Sequence, residues 1–379
     1  MFKGSTFIDN LTIKDFELTE GGVPQKIEAV YLVKKRAIER SDERKRFNPE
    51  TSRNFFLFFE VSEYIAELGD ALDYFFDNVI LPGDTLFIVT PVKTYRLKDR
   101  ALEVKSSEEI ANEIKRLLRK DTLAGNSEYR STVKDLIGLA KSLSTTIEAG
   151  TLDVERREAV IPKQMDSFTV DYGGLDLDEQ LILYAGLLDK LEILRKVDQL
   201  KLLDFAKLLK NKEGQKYVFL FHQREFIPHI EPRILNQFVN EYQDRQDILH
   251  MITEVFDFYK RDISFDINLV KQAYADSSIS IHFLFITKPP KIVFGIRMRE
   301  HSEDIYSAFK QMAQATGGFV ESSANPAASF KLAVEASENY YLLYYSPKTY
   351  TGEGKFREIK VRVKDRNYRV IHRAGYFDN

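Results

Sequence analysis

The sequence contains no cysteine, which excludes disulfides, thiolate catalysis and cysteine metal sites but leaves the cellular compartment open. No apolar run approaches the length needed to span a bilayer, and the opening Met-Phe-Lys-Gly-Ser-Thr-Phe holds no signal-type segment. Charge of one sign is missing too. The 55 basic and 58 acidic residues leave a net charge of −3, which gives no general attraction to nucleic acid or anionic lipid. There is no phosphate loop, dinucleotide fingerprint or Gly-x-Ser-x-Gly elbow, so nucleotide and serine-hydrolase chemistry have no foothold.

What is present is a chain of 379 residues, 44% hydrophobic and 30% charged. That is globular composition, long enough for two domains or one large domain with insertions. The stretch Asn54 to Tyr64 organises it. The apolar run Phe55 to Phe59 cannot be amphipathic and suits a strand covered on both faces. It stops at Glu60, and after Ser62 and Glu63 the residues Ile65, Leu68, Leu72, Phe75, Phe76 and Val79 recur at helical spacing. Strand, polar loop, helix places Glu60, Ser62, Glu63 and Tyr64 at the carboxyl end of an α/β sheet, where ligands usually bind.

Before this unit, the pattern from Phe7 to Lys35 is strand-like around a Gly21-Gly22-Val23-Pro24 turn, with too few strands to fold alone. The charged stretch from Glu39 to Arg53 reads as a linker. After it, Thr85 to Thr90 and Val92 to Leu97 predict an edge hairpin, and a helical insertion spans about 105–213, broken by Pro162 and Gly173-Gly174. Tyr217 to Phe221 predicts a third buried strand leading into His222-Gln223-Arg224-Glu225. Further strands are expected at Ile279 to Ile286, Phe319 to Glu321, Tyr340 to Tyr345, Ile359 to Val363 and Tyr368 to His372. Although Lys348 to Arg373 is basic, its default reading is the solvated face of an antiparallel sheet. His222, Glu225 and His229 lack zinc-motif spacing, and Pro228 falls where a helix would have to hold the second histidine.

The order of several short blocks resembles the bacterial von Willebrand factor A-related domain family. They are Leu11 to Ile27, Ala313 to Gly318, Tyr340 to Pro347, Gly354 to Val361 and Ala374 to Phe377. The resemblance implies a doubly wound, mostly parallel α/β domain over 54–338. It also implies a small β-sandwich-like domain built from both chain ends, 1–38 and 339–379, joined by the linker at 39–53. Such domains often serve as binding modules of exported proteins. Family members with an intact metal-ion-dependent adhesion site carry Asp-x-Ser-x-Ser, a threonine and a second aspartate. Here Glu60 stands for the first aspartate, Ser62 is kept, Tyr64 replaces the second serine, and Gln223 falls near the second aspartate.

The expectation is therefore a non-enzymatic protein-interaction module with a degraded metal site and no required cofactor. Glu60 and Ser62 are the residues that would meet magnesium or calcium. Its partner-facing surface is expected at Glu60, Ser62, Glu63, Tyr64, Gln223, Arg224 and Glu225, with exposed Tyr64 as anchor and the carboxylates favouring a basic partner group. The alternatives are a hydrolase using Glu60, Glu63 or Glu225, and a structural subunit of an envelope assembly. No nucleic acid and no membrane span are expected. The family places a strand before the block matched by Phe7 to Glu20, so the natural beginning, with a leader for a periplasmic or secreted location, is expected to be missing.

Overall fold

The computed structural model describes all residues except 4–5, 99, 151–171, 173, 259–264, 278, 294–295, 349–351 and 379. The protein is mixed α/β, built on a six-stranded sheet. Across it run Val320–Ser323, Ile279–Ile286, Gln215–Gln223, Arg53–Glu60, Thr85–Val89 and Thr94–Arg96. The first five are parallel and the last is antiparallel, closing the edge hairpin expected after Pro91.

The phenylalanine run lies inside this sheet, as its lack of alternation requires. Registered partners point to the same face, so Phe56, Phe58 and Glu60 share a face with Val218, Leu220 and His222 and with Ile281, Phe283 and Phe285. Helices Gln199–Lys210, Ile267–Asp276 and Glu303–Ala315 cover that face through Ala206, Leu209, Val270, Tyr274 and Met312. On the opposite face, Phe55, Leu57 and Phe59 pack under helices Ala66–Tyr74, Ser107–Gly125 and Pro326–Glu338. Gly317, in the left-handed region at φ 71°, ends Glu303–Ala315 and turns the chain back into the sheet.

From Arg53–Glu60 the chain winds outward to Thr85–Val89 and then returns to Gln215–Gln223 on the other side. The winding direction reverses between Arg53–Glu60 and Gln215–Gln223, which makes that gap the topological switch point. Part of the expected helical insertion belongs to the sheet's own layers, since Ser107–Gly125 and Gln199–Lys210 cover its two faces. The remainder builds a second core. Helices Ser127–Gly150 and Leu177–Arg195 pack with Pro232–Glu241, Gln246–Phe258 and the two-stranded sheet Phe226–Ile230/Ile296–Glu300. The expected break over 159–174 lies almost wholly outside the described residues, and no described helix is long and apolar enough to cross a membrane.

Both chain ends meet in two small antiparallel sheets. Asn339–Tyr345 pairs with Ile27–Lys34, and Phe356–Val363 pairs with Phe16–Glu20 and with Gly375–Phe377. Phe16, Leu18, Ile27, Val30, Ile359 and Val363 form one core between them. The linker reading is corrected at its start: Ala37–Glu43 is a strand paired with Ile27–Lys34. Its interleaved charges are those of an exposed edge strand, where charge blocks edge-to-edge pairing. Tyr368 to His372 is no strand; this stretch makes an isolated bridge from Arg369 to Phe2, and Gly375–Phe377 takes the edge position. At the other terminus, Phe2–Lys3 pairs with Thr6–Phe7.

Deleting 348–379 is therefore expected to expose Phe16–Glu20 and to remove Ile359 and Val363 from the core that holds Ile27 and Val30. Hydrogen exchange should show protection lost over Phe16–Glu20 and Ile27–Val33, whereas unchanged protection there would mean the N-terminal strands stand without the C-terminal ones.

Candidate functional site

Ser62 and Glu63 leave the end of Arg53–Glu60 across the switch point from Gln223, which is buried at the end of the neighbouring strand. The Gln223 side-chain oxygen accepts from Ser62 N–H at 3.1 Å, Ser62 Oγ–H at 2.9 Å and Glu63 N–H at 3.0 Å. Loop and strand are thus locked by one amide. Helix Ser127–Gly150 and the turn before it add Asn126 to Val61 O at 2.9 Å and Arg130 to Ser62 O at 3.3 Å.

Lys288 supplies positive charge from the loop after Ile279–Ile286. Its Nζ lies 3.4 Å from Ser62 Oγ and 3.8 Å from Glu63, and Lys291 lies 3.7 Å from Glu63. Burial pushes the Lys288 ammonium down, and Glu63 works against that shift. These residues do not fit a divalent cation. The Ser62 oxygen is committed to Gln223, an ammonium lies 3.4 Å from it, and Glu60 shares the sheet face of Phe58 and His222. Among the described residues, no three His, Cys, Asp or Glu side chains gather in a way that could hold a metal.

No family model, curated protein or solved structure matches this chain.

The other expected site residues divide between surface and interior. Tyr64 is half-buried against the core under Ala66–Tyr74 and Ser107–Gly125, and it borders a hollow with Lys115, Arg116 and Arg119. The expectation of an exposed tyrosine is corrected, because the helix that starts after it folds back over the ring. Arg224 pairs with Glu300 at 3.1 Å and lies over the Phe285 ring. Glu225 forms an ion pair with Arg195, whose guanidinium also donates to His301 O. Among the described residues the Glu60 carboxyl has no hydrogen-bond or ion-pair partner, and burial, then Glu225, push it up.

The superficial His222-Glu225-His229 motif is dispersed. His222 stacks on Phe285, whereas His229 meets His301 with 3.3 Å between their Nε2 atoms. Sequence reading missed Arg195, Lys288 and Lys291. Arg195 sits in a helix whose apolar stripe masks it, but the lysines follow an expected strand end, so the rule that selected Glu63 could have selected them.

Proposed function

We propose that this chain is a von Willebrand A-type binding module, extracytoplasmic in location, that engages a protein partner at the carboxyl end of its sheet without a metal ion. The observation that carries this reading is the Gln223 side-chain oxygen, which takes three donors from Ser62 and Glu63 where a cation's ligands would otherwise converge. Lys288 supplies positive charge there instead. The hydrolase alternative has less support, since the Ser62 proton goes to an amide oxygen, which is no base.

The partner-facing surface shifts with the structure. Glu63 is balanced by Lys288 and Lys291, so the excess charge is positive and favours an acidic partner group. Beside it, Ile292 is 100% exposed on the same loop and supplies the apolar anchor that half-buried Tyr64 does not. Calorimetry with magnesium, manganese and calcium should show no stoichiometric binding, and a site lost on Glu60→Ala would overturn the metal-free reading. A photo-crosslinker replacing Lys291 should capture a partner from the native envelope fraction, and one replacing Lys212 should not. With that partner in hand, Ile292→Asp is expected to weaken binding by more than about 1 kcal/mol.

A further inference from the structure

The sheet face that carries Glu60 is not closed by its helices. A cavity of about 530 Å³ remains between Phe58, Leu220 and Ile281 on the sheet and Phe205, Phe309 and Met312 on the helices above. Phe58 is accordingly only half-buried, although its neighbours in the run are buried. The volume is that of a small-molecule site, and its lining combines these apolar side chains with charged ones from the strand ends and from the segment Arg195 to Lys201.

Charge there is unevenly settled. Glu225 is neutralised by Arg195, whose side chain is 2% exposed. Tyr129 lines the same cavity, and its hydroxyl is pushed up by burial, which keeps it a neutral donor. Glu60 lines the cavity with its carboxyl unpaired among the described residues. Glu60 keeps exposed surface as a residue, while burial holds its carboxyl up. Among the lining residues the carboxylates Glu60, Glu128, Asp198 and Glu225 outnumber the cations Arg195, Lys196 and Lys201. Arg195 is engaged by Glu225 and Lys201 lies 3.6 Å from Asp198, so a ligand carboxylate or phosphate is disfavoured. An uncharged apolar ligand would strip water from Glu60 and give nothing back. A cation on an apolar body does both jobs.

We infer that this cavity binds a small apolar amine, its hydrocarbon body against the packed Phe58–Phe205 pair and its ammonium on the Glu60 carboxylate. The cavity shares Ser62 and Gln223 with the proposed partner surface, but the inference rests on Glu60, Phe58 and Phe205 and does not need that reading.

Decylamine, below its micelle-forming concentration, tests this by calorimetry on the full chain at neutral pH, with decanol and decanoate as probes of equal length. One equivalent of decylamine is expected to bind about tenfold or more tighter than decanol, the step one charge-assisted contact gives, with no binding of decanoate. Glu60→Gln should bring decylamine down to the decanol level and leave decanol unchanged, which also reports an intact cavity. Leu202→Trp, which fills the cavity from the helix side, should abolish binding of both. Equal affinity for amine and alcohol, binding of decanoate, an unaltered affinity in either variant, or no heat with decylamine would each overturn the inference.

Discussion

Asp84→Ala is expected to cost about 3–5 kcal/mol of stability, the penalty of leaving a buried charge without its partner. Arg53 opens the first strand of the central sheet with its side chain 1% exposed, and Asp84 has 0% exposure. The pair is bidentate, Nε to Oδ1 at 3.2 Å and Nη2 to Oδ2 at 2.5 Å, and Asp84 also accepts from Leu81 N at 2.8 Å. Arg53 donates as well to Val79 O at 2.7 Å, and Glu338 lies 3.7 Å away at the end of the helix leading to Asn339–Tyr345. One guanidinium therefore ties the sheet, the turn before Thr85–Val89 and the entry to the β sheets of the chain ends. The urea midpoint at neutral pH measures the loss. Because the pair's own desolvation offsets much of its attraction, Arg53→Met with Asp84→Leu should recover most of it. A double variant as unstable as Asp84→Ala would show that the pair's geometry, and not its charge balance, holds this corner.

Acidification from pH 6.5 should destabilise the fold through His229 and His282. Burial lowers both to about 3, and His301, Arg299 and Arg297 add to the effect at His229. Their exposures are 5% and 2%. A histidine held neutral in the folded state gains its proton first in the unfolded chain. Stability is then full above pH 6.5 and falls as pH drops toward 3, by about 1.4 kcal/mol per pH unit for each histidine. Glu60 and Glu338 act oppositely, since burial raises both and their folded forms take up protons before their unfolded forms do. The net slope is thus a difference, and single variants separate it. His229→Leu and His282→Leu should each flatten the plot of unfolding free energy against pH between 6.5 and 5 by one histidine's share. An unchanged slope would mean that the folded state already accepts that proton.

Much of the site was legible in the order of residue types. An unalternating run such as Phe55 to Phe59 has no polar face to give to water, so it predicts a central strand, and the polar residues after it predict a loop at the sheet's carboxyl end. The same reasoning reached Gln223, Arg224 and Glu225 after the next strand. It could not say that Gln223 would turn inward to hold Ser62, because that depends on strands separated by 161 residues lying side by side. Nor could it see Arg195 beneath Glu225. That contact joins a helix of the second core to a strand end, and neither element carries a local sign of the other.

The sequence by itself determined the doubly wound alternation, the edge hairpin, and the need for both chain ends to share strands, since these follow from apolar period and from how few strands each end holds. Only the tertiary structure decided three other things: that Ala37–Glu43 is a strand, that Tyr64 lies under a helix, and that Glu60 lines a cavity while Glu63 meets Lys288 and Lys291. Propensity and period are local quantities and read directly from neighbours in the chain. Pairing at an exposed edge, cover by a returning helix and a gap between layers depend on distant segments, whose packing no local pattern encodes.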